Sequence, residues 1–131
     1  MDKTLSSEIY GLIRTGKKAK ILAAVEILDA YQGALIIDPF CKSAIEYSRG
    51  DKDVKSAVGR ALYQTGVVSG EYGMRDAYIN RLERVKGWVK STNKYIRSFS
   101  IEFSDSLNKT IKHEQKRTDE EVMRMKKGVD R

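Results

Sequence analysis

Cysteine occurs once in the 131 residues, at Cys41. One thiol forms no intramolecular disulfide and builds no cysteine-based zinc site. Histidine also occurs once, at His113, in a charged stretch. Without a second histidine, metal ligation would rest on carboxylates, and the densest carboxylate run is Asp119-Glu120-Glu121. Those three read better as residues of a first helical turn, where the helix dipole favours negative charge. No long uninterrupted apolar run exists. The most apolar stretch, residues 19–37, contains Lys20, Glu26, Asp29 and Gln32, too polar for a simple membrane span. The first eleven residues lack the basic start and apolar block of a signal peptide. These absences give the expectation of a cytoplasmic chain with no metal and no cofactor, and they weigh against membrane association.

Proline occurs once and glycine ten times, and most glycines fall where helices should stop. No repeat and no Gly/Ser/Pro-rich linker divides the chain. Hydrophobic residues make up 40% and charged residues 33%, enough apolar content for one folded domain of this length. The fold class expected is all-α, a compact bundle of about five to six helices. It has a glycine-rich loop at 66–73 and a polar C-terminal tail, helical or partly disordered until a partner arrives. The expected division is a helical domain over 1–111 and a charged extension over 112–131.

Apolar spacing places the helices. The first covers about 5–14, with Thr4 as its cap and Gly16 as its end. The second covers about 17–36 through Ile21, Leu22, Val25, Leu28, Tyr31 and Leu35. The third has the clearest punctuation: Asp38 as N-cap, Pro39 in the first turn and Gly50 just past the end. The fourth runs from about Asp51 to Thr65 on Val54, Ala57, Val58, Ala61 and Leu62. The fifth is read as one helix from Arg75 to Phe99, its apolar residues covering about 140° of the wheel. A sixth begins near Ser104, and Thr118 with Glu121 forms a capping box ahead of Val122 and Met125.

The formal charge is +7. It is unevenly placed: residues 51–100 hold 10 basic and 5 acidic groups and so supply +5 of it. Within them Lys86, Lys90 and Lys94 recur every fourth residue, with Arg97 between them on the wheel. On a continuous helix they make a row of cations about 15–17 Å long, at 1.5 Å rise per residue. Such a row contacts several phosphates and binds in a salt-dependent way. The plain alternative is a solvated face. Trp88 and Tyr95, beside the same stripe, read as core rather than as stacking platforms.

Other motifs carry less. Residues 11–18 nearly spell a phosphate-binding loop, but Lys18 stands where a magnesium-ligating Ser or Thr belongs, and the context is helical. Residues 62–68 suggest a helix-turn-helix, yet Gly70 and Gly73 make the turn too long. Glu71 and Asp76 flank the glycine-rich loop and form the one pair considered for acid–base chemistry. The basic amphipathic second helix invites comparison with membrane-surface helices, against which Glu26 and Asp29 argue. The expected function is non-enzymatic binding of an anionic macromolecule, nucleic acid ahead of an acidic protein surface. No small-molecule substrate is inferred. The alternatives are a protein-interaction module, including a homo-oligomeric subunit, and a membrane-active helical protein.

Overall fold

The computed structural model describes residues 2–31, 34–63 and 73–129. Among them are six α-helices, two 3-10 turns and no strand. The helices are α1 (Lys3–Arg14), α2 (Lys18–Asp29), α3 (Asp38–Tyr47), α4 (Lys52–Tyr63), α5 (Gly73–Lys86) and α6 (Lys94–Val129). The 3-10 turns are Leu35–Ile37, ahead of α3, and Gly87–Lys90, after α5.

Local chemistry sets each boundary. Asp2, not Thr4, caps α1: its Oδ1 accepts the Leu5 N–H at 2.8 Å. Gly16, at φ +70°, turns the chain into α2. The second helix ends at Asp29, shorter than the expected reach to residue 36. Asp38 is the first residue of α3 rather than its cap, and Ile37 holds the cap position without a side-chain bond. The α3 terminus follows its punctuation. Gly50 sits at φ +69° and its N–H returns to the Ile45 carbonyl at 3.0 Å. A Cβ at Gly50 would also lie 2.9 Å from the Tyr95 ring, so glycine is required there twice over.

The expected single helix from residue 75 to 99 is broken. The α5 helix stops at Lys86, the 3-10 turn carries Trp88 into the core, and α6 begins at Lys94. Asn93 makes the new start: its Oδ1 accepts the N–H groups of Tyr95 at 2.9 Å and Ile96 at 3.2 Å. Ser91 Oγ in turn accepts the Asn93 N–H at 3.1 Å. Helix α6 then runs unbroken across both the expected gap near residue 100 and the expected boundary at 111/112. Thr118 is therefore mid-helix and buried, not a cap, and Asp119, Glu120 and Glu121 do not occupy a first turn. The polar stretch is held by pairs one turn apart: Arg117 with Glu114 and Glu121, and Gln115 Nε2 donating to Asp119. Gly73 opens α5, and the remainder of the expected loop, residues 66–72, lies outside the described residues.

Helix α2 packs on α1 and α4, α3 touches α1, α4 and α6, and α5 packs along α6. The apolar side of α2, from Ile21 through Ala24 and Val25 to Leu28, is spent inside the bundle. Among the described residues no helix is long and apolar enough to cross a membrane. An aromatic ladder ties the halves together: Trp88 to Phe99, Phe99 to Phe103, Phe103 to Tyr63 and Tyr63 to Tyr78, at centroid distances of 6.0, 5.3, 5.1 and 5.8 Å. Buried Asp38 forms a two-pronged ion pair with Arg84 of α5, one arm at 3.1 Å.

Candidate anionic-partner interface

Helices α5 and α6 form an antiparallel hairpin. Ser100 Oγ donates to the Val85 carbonyl at 2.6 Å near its closed end, and Arg75 donates to Gln115 near its open end. The bend between them, residues 86–97, reads KGWVKSTNKYIR and contains four cations and no carboxylate. The break at residues 91–93 removes the straight row expected for Lys86, Lys90, Lys94 and Arg97. Lys86 ends α5, Lys90 ends the 3-10 turn, and Lys94 and Arg97 lie in the first turn of α6. The four residues thus mark the bend of a hairpin instead of one helical face.

Their surroundings differ. Lys86, Lys90 and Lys94 are exposed, and no carboxylate lies within salt-bridge distance of them among the described residues. Elsewhere, Lys18 pairs with Asp51 and Asp53, Lys55 with Glu102, Arg75 with Asp76, and Arg117 with two glutamates. Lys94 Nζ stands 5.1 Å from the centre of the Tyr95 ring. Arg97 is half-buried and donates to the Ser91 carbonyl at 2.9 Å, which fixes the bend. The bend therefore combines three exposed lysines with one arginine that also holds the turn.

The start of α6 adds to this field. A helix N-terminus carries partial positive charge, which acidic first-turn residues normally offset. The first turn of α6 has none and instead carries Lys94 and Arg97. Cations at this end of a helix raise a local positive potential that an anion relieves. Trp88 is 4% exposed, so it is core, as its spacing suggests. Tyr95 is half-buried against Gly50.

The remaining candidates separate. His113 is exposed, beside Lys116, Arg117 and Glu120. Asp76 is exposed and paired with its neighbour Arg75 at 2.9 Å, while Glu71 lies outside the described residues. Among the described residues no group of three or more His, Cys, Asp or Glu side chains gathers for a metal ion. Cys41 is fully buried, and burial, with Asp38 nearby, pushes its thiol far above the usual range. A thiol held protonated there is no nucleophile.

Two surface grooves went unread in the sequence because each brings together residues distant in the chain. One lies between α4 and α6, about 700 Å³, floored by Phe99 and Phe103 and edged by Lys52, Lys55 and Arg60. The other, about 820 Å³, lies along α5 and α6 over Ile79, Ile111 and Met123, with mixed charges at its rim. No protein-family model, curated protein or solved structure matches the chain.

Proposed function

We propose that the protein is a non-enzymatic binding module that engages an anionic macromolecule, nucleic acid foremost, through the basic bend of the α5–α6 hairpin. The observation that carries this reading is the set of three exposed lysines without salt-bridge partners among the described residues, on a bend that contains no carboxylate. Each lysine is placed to displace counterions from a phosphate backbone, and Arg97 ties the bend so that they arrive together. Backbone contacts of this kind read charge and shape, not base sequence.

The test is binding of labelled single-stranded and duplex DNA by the parent and by the triple variant Lys86→Glu, Lys90→Glu, Lys94→Glu. The lysines are exposed, so the variant keeps its melting temperature to within a few degrees. It is expected to lose at least about tenfold in affinity at low salt, for every probe sequence alike. Equal affinity of variant and parent contradicts the reading.

A second reading rests on Val89 and Ile101. They are 43% and 55% exposed and share a shallow groove with Lys86. An exposed aliphatic pair beside a lysine suits an acidic protein surface, with apolar anchors inside a charged rim. That reading predicts a complex that survives high salt and is lost in Val89→Ser, Ile101→Ser. The membrane-active reading loses its basis, because the apolar side of α2 is occupied by the bundle core.

A further inference from the structure

The groove between α4 and α6 is joined to the basic bend. Its near end is Gly50, which packs against Tyr95 in the first turn of α6, next to Lys94. From there α4 and α6 run in the same direction. Lys55 meets Glu102, Gly59 faces Phe103, and Tyr63 Oη bonds Ser106 Oγ at 2.8 Å. The groove therefore leads from the bend along the length of α4.

Its net charge is positive. Lys52 and Arg60 are exposed on its edge, two turns apart, about 12 Å by helical rise, with no salt-bridge partner among the described residues. Glu102 is the carboxylate among its described lining residues, and Lys55 holds it at 3.2 Å. The nearby acids at the start of α4, Asp51 and Asp53, are engaged by Lys18 of α2. The edge thus offers cations to an incoming chain and no unpaired carboxylate.

Its wall is open where the fold does not need it to be. Gly59 sits mid-helix in α4, with neither a positive φ nor a crowded neighbour. A Cβ there would meet the Phe103 ring at 3.6 Å, ordinary contact. Glycine in a helix interior is unfavourable relative to alanine, and packing gives no compensation here. Ser56, one turn earlier, keeps the same wall low. Half-buried Tyr63 lines the far end, half-buried Tyr95 packs against Gly50 at the near end, and Phe99 and Phe103 line the groove between.

We propose that this groove continues the basic bend and holds a single strand of nucleic acid, its phosphates along Lys52 and Arg60 and its bases turned toward Tyr95 and Tyr63. A positively charged channel with aromatic side chains along it is the usual platform for a single strand. A duplex is too broad to enter between two helices of one bundle. The proposal rests on the nucleic-acid reading of the bend and adds the strandedness and path of the ligand.

The probe is a labelled oligothymidylate of about 12 nucleotides, with a duplex of the same length as competitor. The proteins are the full-length parent, Lys52→Glu with Arg60→Glu, Gly59→Leu, and the triple lysine variant of the bend. Lys3→Glu with Lys20→Glu is a control of equal charge change on α1 and α2. Thermal melts establish that each is folded, and the two surface charge variants serve if Gly59→Leu is not. The expected result is a loss of about tenfold or more in both groove variants and in the bend variant, under about threefold in the control, and weaker competition by duplex. Groove variants that bind like the parent while the bend variant fails overturn the groove and leave the bend standing. Loss in the groove variants alone keeps the groove and removes the bend. Duplex competing as well as single strand contradicts the groove. No binding by the parent at about 100 μM protein and low salt, or only salt-resistant binding to protein, overturns both.

Discussion

Asp38 shows how a residue's composition and its role part company. Aspartate ahead of proline at a helix start has the look of a cap, yet its carboxylate turns inward to Arg84, 46 residues away. No local pattern encodes a partner at that distance. Both side chains are mostly shielded from water, so the pair is little screened by solvent. Asp38→Ala is expected to lower stability by about 2–4 kcal/mol in urea denaturation, and a neutral effect would contradict a stabilising pair. Cys41 gives a second residue-scale prediction. Burial keeps the thiol protonated, so a disulfide reagent should leave the native protein unmodified even near pH 9, where an ordinary thiol is substantially ionised. Full, rapid labelling without denaturant would contradict its burial. Gly59→Ala should raise stability by up to about 1 kcal/mol, because the added methyl finds ordinary contact and helix propensity improves.

At the scale of elements, periodicity located the buried faces well and the breaks poorly. The residues read as the apolar face of the fourth helix, Val54, Ala57, Val58, Ala61 and Leu62, are all buried. So is Trp88, though a 3-10 turn rather than a continuous helix delivers it. An apolar stripe reports which residues are covered, and it survives a change of element that keeps them covered. The break itself lies in Ser91 and Asn93, whose side chains bond backbone N–H groups ahead of them. Such bonds compete with helix continuation. Asn93→Ala should therefore cost about 1 kcal/mol and leave the helix content nearly unchanged by circular dichroism. A neutral effect would contradict a capping role for Asn93. A helical extension beyond residue 111 was one of two expectations, left open because residues 112–121 lack large apolar side chains. Their pairing one turn apart, led by Arg117 with Glu114 and Glu121, supplies a local reason for helix instead.

For the whole molecule, the positive excess divides into two populations. Half-buried Arg84 and Arg81 work inside the bundle, on Asp38 and on the Leu62 carbonyl at 3.0 Å. The lysines of the bend stay exposed at one end of the α5–α6 hairpin, where the chain carries no carboxylate. The identities of these cations were legible in the sequence, but their arrangement was not, since the row assumed a helix that the chain does not form. The groove beside them was illegible for a different reason: α4 and α6 supply its walls from segments about 45 residues apart, joined by Tyr63 to Ser106 and Lys55 to Glu102. The most direct test of the proposed interface is the slope of log Kobs against log salt for nucleic-acid binding. The three lysines on phosphates predict a slope of about −2 or steeper for the parent, and a slope shallower by about two, or no measurable binding, once Lys86, Lys90 and Lys94 are glutamate. A flat salt dependence in the parent, or the same slope in both proteins, would contradict binding through the bend.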